Sequence, residues 1–172
     1  ALENPTTASD NTAVGSYALT ANTTGAGNVA VGKGALDANT TGAYNVAIGR
    51  DALGANTEGH SNTALGKDSL KTNVDGDRNT AIGYNSLTAN DTGKKNTDVG
   101  YGSMSSNTSG QLNTAVGHDA LEYGSSGNRN TALGFEALRV NSASYYNTGV
   151  GAGALTDANR TADTDGYNTA FG

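Results

Sequence analysis

The residues best able to do chemistry in this sequence are two histidines and two aspartate-rich segments. His60 and His118 each follow a glycine, but they occupy different parts of the surrounding sequence pattern. A general base or a metal ligand needs a partner group held beside it, and neither histidine has a nucleophile or second ligand at a matched spacing. We therefore interpret both histidines as solvated surface residues.

The aspartate-rich segments, residues 74–77 and 162–166, have a composition similar to that of calcium-binding loops. Such a loop needs regularly spaced oxygen ligands and a terminal Glu, which both segments lack, and turn chemistry explains them better. Glycine-rich stretches elsewhere lack the Lys-Ser/Thr completion of a phosphate-binding loop. The sequence thus predicts no catalytic residues, no cofactor and no metal, and a protein that is not an enzyme.

Composition limits the partners further. A net charge of −6 and a pI near 4.6, with ten scattered basic residues, make nucleic acid an unsuitable partner, because phosphate binding needs clustered Lys and Arg. The chain has no cysteine. No apolar run approaches the ~20 residues that a membrane-spanning helix needs, so we expect no membrane insertion in this segment.

A 17-residue unit repeats through almost the whole chain, and it must position everything else. The unit opens with Asn-Thr-Ala-Val-Gly or a close variant and carries Ala-Leu a few residues later. Nine copies and a partial tenth occupy residues 11–172, after a lead-in at residues 1–10, and a four-residue insertion falls within residues 156–167. A short fixed period of this kind predicts a stacked solenoid. The opening asparagines are Asn11, Asn28, Asn45, Asn62, Asn79, Asn96, Asn113, Asn130, Asn147 and Asn168.

The opening of each unit suits a short β-strand that ends at a glycine. Alternation with β-branched residues favours a strand, with the second and fourth residues on one face and the Ala between them on the other. A glycine at the fifth position of every copy indicates a positive φ or a close approach of the neighbouring coil. We assign the coil corners to Gly15, Gly32, Gly49, Gly66, Gly83, Gly100, Gly117, Gly134 and Gly151.

Two apolar positions per unit form the predicted core. The first is the aliphatic residue before the corner glycine, and the second is the ninth residue, which is Leu in all full copies but one. The predicted core is Val14, Leu19, Val31, Leu36, Ile48, Leu53, Leu65, Leu70, Ile82, Leu87, Val99, Met104, Val116, Leu121, Leu133, Leu138, Val150 and Leu155.

The half of the unit around the leucine has two interpretations. It is either a second strand or a single helical turn opened by a capping residue such as Asp51, Asp68, Asn85 or Asp119. In the second case the following asparagine, for example Asn56, closes the turn in the left-handed region. We favour a helical or irregular turn slightly.

A coil this thin predicts self-association. One aliphatic side chain and one Leu per coil contribute ~1.5–3 kcal/mol each when buried, whereas ordering each residue costs roughly 1–2 kcal/mol of backbone entropy. Self-association commonly stabilises an insufficient core. We expect a parallel homotrimer whose chains pack closely along the ladder of small alanines. Stacked rungs ~4.8 Å apart would give a rod on the order of 45 Å long.

The Asn-Thr-Ala-Val-Gly and Asn-Thr-Ala-Ile-Gly openings followed by Ala-Leu resemble repeats of phage tail fibres and bacterial surface fibres. They are also similar to the Ala-Ile-Gly motif in YadA-type heads of trimeric autotransporter adhesins. The resemblance covers residues 11–172 and implies a trimeric, parallel β-roll or β-prism shaft outside the cell or on a virion. It also implies that the aliphatic residue before the glycine, such as Val14, Ile48 or Ile82, fills the roll interior.

These features predict a structural shaft or head segment of an extracellular homotrimeric fibre that mediates or presents attachment to a cell surface. A host-cell glycan or receptor is the expected partner beyond the chain itself. The alternative is a glycan-binding or ice-binding β-solenoid. Corner tyrosines such as Tyr44 and Tyr101 would stack on sugars, and threonine pairs such as Thr23-Thr24 would order water, although charged residues interrupt the column of pairs.

Overall fold

The protein is a parallel β-solenoid with one 17-residue coil per repeat. The structure, a computed structural model, describes residues 7–141, 143–156 and 166–172. Residues 1–6 of the lead-in and residues 157–165, which hold most of the predicted insertion and most of the second aspartate-rich segment, lie outside this description. Within the described ranges there is no helix, and therefore none long and apolar enough to cross a membrane.

Ten three-residue strands form one parallel sheet in chain order, β1 to β10. Each strand pairs with the next in exact repeat register, so that Ala47 of β3 lies beside Ala64 of β4. The predicted strands and their register are confirmed. The strands are Thr12–Val14, Val29–Val31, Val46–Ile48, Thr63–Leu65, Thr80–Ile82, Thr97–Val99, Thr114–Val116, Thr131–Leu133, Thr148–Val150 and Thr169–Phe171.

The chain changes direction at the glycine that follows each strand. These corner glycines have φ angles of 119° to 153° from Gly15 to Gly151, a region that side-chain-bearing residues rarely adopt. The backbones of successive corners also pass very close together, and a Cβ on Gly49 would overlap the carbonyl oxygen of Gly66. Both reasons predicted for a glycine at this position are therefore present.

After the corner the chain forms an irregular turn, neither a second strand nor a helical turn. The predicted capping residues Asp51, Asp68, Asn85 and Asp119 have φ between 53° and 58°, which is incompatible with an N-cap. The left-handed residue near the end of the turn is the leucine, for example Leu53 at 51°, and not the asparagine after it. This unusual conformation for Leu turns its amide toward the next coil.

The buried core consists of the leucine column together with two columns of small residues. Leu19, Leu36, Leu53, Leu70, Leu87, Met104, Leu121 and Leu138 are fully buried, and Leu155 packs against the same cluster. The residue before each leucine and the strand alanine are buried as well, as in Ala52 and Ala47. The leucine half of the predicted core is confirmed.

The aliphatic half of the predicted core is wrong, because this column faces outward from the coil. Val14 is 57% exposed, and the interior has room for only a methyl group at the strand. A Cβ added to Gly149 would lie 3.2 Å from Leu138 Cγ. Strand alternation therefore sends the small alanine inward and the larger residue outward. The exposed or half-buried column is Val14, Val31, Ile48, Leu65, Ile82, Val99, Val116, Leu133 and Val150.

The same finding corrects the expected packing surface. The strand alanines from Ala30 to Ala132 are buried inside their own chain, so they are not available to a neighbouring chain. Whatever packs on the sheet from outside meets the second and fourth residues of each repeat unit, which are the first and third residues of each strand.

Two stacks of buried asparagine fill the rest of the interior. The opening Asn of each coil accepts a hydrogen bond from the backbone of the next opening Asn, as in Asn62 N to Asn45 Oδ1 at 2.9 Å. The second stack links side chain to side chain, with Asn73 Nδ2 donating to Asn56 Oδ1 at 2.8 Å. These ladders satisfy buried amides that would otherwise be costly.

In the coils from Gly25 to Gly110, one glycine carbonyl per coil joins the two stacks. Gly59 O accepts from Asn45 Nδ2 at 2.8 Å and from Asn56 Nδ2 at 3.1 Å. A Cβ on Gly59 would lie 2.5 Å from Gly76 O and would also overlap the Asn56 side chain. Glycine is therefore required at this position, because a Cβ would overlap the atoms through which the two ladders meet.

We predict that Gly59→Ala destabilises the chain and that Gly54→Ala in the same coil does not. A Cβ on Gly54 has its nearest contact at 3.3 Å, the Asp51 carbonyl, and other coils carry Thr, Lys or Arg at this position. The free energy of unfolding should fall by about 1–3 kcal/mol for Gly59→Ala and by less than about 0.5 kcal/mol for Gly54→Ala. Denaturant unfolding followed by circular dichroism measures both free energies. Equal effects of the two substitutions would contradict the claim that the two ladders meet at Gly59 O.

Candidate functional surface

The outer face of the sheet carries two parallel columns of side chains. The fourth-position column is aliphatic along its length and ends in Phe171, which is 76% exposed. Beside it runs the second-position column, which is threonine at every strand from Thr63 to Thr169 and valine at Val29 and Val46. The coil presents these columns because strand alternation places them on the side away from the leucines. The result is a continuous, partly apolar strip along the solenoid.

A second feature flanks the strip after each corner glycine, and we name it the downstream column. Neighbouring rings in this column stack along the axis, with centroids 5.2 Å apart for Tyr84 and Tyr101 and 4.9 Å apart for Tyr101 and His118. The ladder of rings ends with Phe135, 5.6 Å from His118. At its other end the Lys67 ammonium lies 4.9 Å from the Tyr84 ring centroid. The column comprises Ser16, Lys33, Arg50, Lys67, Tyr84, Tyr101, His118, Phe135 and Ala152.

The opposite flank, two residues before each strand, forms what we name the upstream column. Its non-glycine members have φ near 60°. The Tyr146 and Tyr167 rings stack at 4.8 Å, and the Arg129 guanidinium lies 5.2 Å from the Tyr146 ring centroid. The column comprises Asp10, Gly27, Tyr44, Ser61, Arg78, Lys95, Leu112, Arg129, Tyr146 and Tyr167.

The structure does not bring the two histidines together. His60 lies just before the upstream column, where its Nδ1 accepts a hydrogen bond from Ala43 N at 3.0 Å. His118 lies in the downstream column, with its Nδ1 3.0 Å from an Asp119 carboxylate oxygen. Both are exposed, as the sequence predicts.

The first aspartate-rich segment links neighbouring coils through hydrogen bonds. Asp77 Oδ1 accepts from His60 N at 2.9 Å, and Asp77 Oδ2 accepts from Lys94 Nζ at 2.9 Å. These bonds use both carboxylate oxygens within the solenoid. In the described part of the chain, no group of three or more His, Asp or Glu side chains is arranged to hold a metal.

In the threonine pairs predicted to order water, the hydroxyl of the first threonine is bonded to the backbone of the next coil. Thr23 Oγ1 donates to Thr40 O at 3.0 Å, and Thr40 Oγ1 donates to Thr57 O at 3.0 Å. These hydroxyls extend the bonding between coils. The regular threonine array of this protein is the second-position strand column, which the 17-residue period aligns.

One coil contains a buried acid that the leucine and alanine columns do not predict. Asp98 takes the place of the strand alanine in β6 and is fully buried, between Ala81 and Ala115 in the adjacent strands. Ser86 Oγ donates to Asp98 Oδ2 at 2.6 Å, whereas Asp98 Oδ1 has no hydrogen-bond partner among the residues that the structure describes. Burial raises the pKa of the Asp98 carboxyl to about 7, and the nearby hydroxyls of Ser103 and Ser86 and the Leu87 backbone lower it in part.

This placement predicts that the chain becomes less stable as the pH rises from about 4 to about 7. In that window the folded state keeps the Asp98 proton, whereas the unfolded state, with a pKa near ~3.9, has lost it. Because the folded state binds more protons, the free energy of unfolding falls with rising pH and levels off above the folded pKa. The full shift corresponds to about 4 kcal/mol.

Asp98→Ala, which restores the alanine found in most coils, should remove this slope and raise stability at pH 8. The matched control is Asp91→Ala, since Asp91 is exposed and its loss should leave the slope intact. Urea unfolding at a series of pH values measures both. A parent slope that persists in Asp98→Ala would show that another group is responsible.

Comparisons of this chain with protein-family models, with curated proteins and with solved structures found no match.

Proposed function

We propose that this chain is a structural rod segment of an extracellular homotrimeric fibre that mediates or presents attachment to a cell surface. The observation that carries the proposal is the aliphatic column on the outer face of the sheet. An exposed apolar strip that runs the length of a molecule is unusual for a monomer and typical of a surface that binds another protein. A second copy of the same chain presents a matching strip.

Parallel assembly about an axis along the rod suits this surface. Every coil has the same height and presents the same two columns, so chains that run in one direction meet rung by rung. Three sheets facing a common axis would form a prism with the aliphatic residues inside and the asparagine-filled coils outside. The threonines of the second-position column would lie beside that apolar centre, where their methyl groups pack and their hydroxyls can bond to one another or to water.

The remaining features fit a spacer. Ten rungs ~4.8 Å apart give a sheet about 45 Å long, and the ladders of asparagine make each coil depend on the next. The described residues place their chemical groups in columns parallel to the axis and not around a cleft. On this account the segment holds a glycan- or receptor-binding element away from a bacterial cell surface or a virion, and it does no catalysis itself.

The ice-binding alternative rests on a specific observation, the unbroken threonine column from Thr63 to Thr169 on a regular sheet. The glycan-binding alternative is less favoured on the downstream column, because the faces of Tyr101 are covered by Tyr84 and His118. Thermal hysteresis at millimolar protein concentration distinguishes ice binding from the rod. The fibre proposal predicts no hysteresis beyond that of a colligative control.

We predict that the parent chain sediments at three times its 17.2-kDa monomer mass and that Ile48→Lys abolishes this association. Ile48 is 38% exposed on the aliphatic column, and Val74, at a corner of the same solenoid, is 40% exposed. Burying an unpaired ammonium at an apolar interface is costly, so only Ile48→Lys should produce monomer.

Val74→Lys is the matched control, because it adds the same charge at equal exposure away from the strip. Sedimentation equilibrium at micromolar concentration gives the mass of each variant. A parent chain that is monomeric at this concentration would overturn the proposed trimer, as would association that survives Ile48→Lys and is lost in Val74→Lys.

A further inference from the structure

The downstream and upstream columns are complementary when they are compared rung by rung. Each strand from β1 to β9 has one residue of each column at its two ends, for example Lys95 before β6 and Tyr101 after it. No rung has a lysine or arginine at both ends. In four rungs one end is a cation and the other an aromatic ring: Tyr44 with Arg50, Arg78 with Tyr84, Lys95 with Tyr101, and Arg129 with Phe135.

Within one chain the cation and the ring of a rung are too far apart to contact each other. Six residue steps separate Lys95 from Tyr101 across a strand and its flanks, which is roughly 20 Å of extended backbone. Within the chain Tyr84, Tyr101 and Phe135 contact residues of their own column instead, as in the stack of Tyr101 on His118. A contact between the two columns of one rung therefore requires a second molecule.

Parallel association about an axis along the rod supplies that contact. When two copies face each other or a common axis in the same direction, the downstream flank of one meets the upstream flank of the other at equal height. Antiparallel association would instead bring each column against a copy of itself. A closed trimer about that axis has its three chains parallel, so it uses only the first of these two arrangements.

We infer that a second copy of this chain docks in parallel and in register on each flank, with the cations of one column seated against the aromatic rings of the other. The inference rests on the proposed self-association and adds what sets its register. A neighbouring cation can lie over the ring of Tyr44 or Phe135. Tyr84 and Tyr101 have their ring faces covered within their own column, and they offer the phenol oxygen as the acceptor instead.

Register follows from the order of the residues along the two columns. In register, four cation–ring pairs form at each seam and no two cations meet. A slip of one rung in one direction sets Lys67 against Arg78 and keeps two cation–ring pairs. The opposite slip sets His118 against Lys95 and also keeps two. Aligned chains are therefore favoured over either slipped arrangement.

Tyr101→Lys tests the inference with little disturbance inside the chain. The new lysine would lie between the rings of Tyr84 and His118, which accept a cation as Tyr84 already accepts Lys67. In the aligned assembly it would face Lys95 of the neighbouring copy. We expect the dissociation constant of the trimer to rise about tenfold or more, since three seams each lose an attraction and gain a repulsion.

The exchange variant Tyr101→Lys with Lys95→Tyr should restore the dissociation constant to within about twofold of the parent value. Tyrosine suits the Lys95 position, because Tyr44 and Tyr146 hold the same place in the upstream column with the same φ near 60°. Tyr17→Lys is the control, since Tyr17 is 56% exposed and Tyr101 54% but Tyr17 belongs to neither column. This control should leave association unchanged.

The same substitution and exchange at a second rung distinguish loss of the contact between chains from a local folding defect. Phe135→Lys should weaken the trimer and Phe135→Lys with Arg129→Phe should rescue it, in the same way as the first exchange. A trimeric parent in which neither lysine variant weakens association, or in which neither exchange rescues it, would overturn the register while leaving the proposed fibre intact. A monomeric parent would overturn both.

Discussion

The paired ladders of buried asparagine are the interaction on which the rest of this structure depends. Each coil encloses two amide side chains, and their hydrogen bonds run to the coil before and to a glycine carbonyl such as Gly59 O. Because a buried amide without a partner is costly, a coil is satisfied only when its neighbours lie directly above and below it. This requirement fixes the 17-residue period and makes stability a property of the stack. Where Gly124 replaces the laddered asparagine, Asn107 Oδ1 is left without a partner among the described residues.

The narrow interior that results determines what reaches the surface. Asparagines, one leucine and two small residues fill each coil, so the largest side chain of the strand has no place inside. The aliphatic residues therefore line the outer face, and the flanks carry rings and cations stacked at the coil spacing. The proposed trimer follows from the aliphatic residues on the outer face, and its register follows from the rings and cations on the flanks. Asp98 is the exception inside, where an acid occupies a methyl-sized position and its burial makes one coil sensitive to pH.

Much of the fold was predictable because it depends on spacing alone. The period places the strands, their parallel register and the column from Leu19 to Leu155, and the structure confirms each. Strand alternation separates Ala47 from Ile48, but it does not say which of them faces inward. Size and hydrophobicity favoured Ile48, whereas the space left by the leucine and asparagine columns admits only Ala47. Residue propensities likewise could not predict the left-handed conformation of Leu53, since Leu rarely adopts positive φ. The complementarity of the two flanking columns is present in the sequence, yet it becomes visible only when the strand between them is placed.

The most direct test of this account is to shorten the chain by one whole coil and by one residue more. Removing residues 45–61 joins Tyr44 to Asn62 and leaves both ladders continuous. Removing residues 44–61 joins Ala43 to Asn62 and leaves one coil a residue short. Thermal unfolding followed by circular dichroism should show a cooperative β-sheet transition near that of the parent for the 17-residue deletion. The 18-residue deletion should lose several degrees or its cooperativity. Equal behaviour of the two deletions would contradict the claim that buried ladders fix the period.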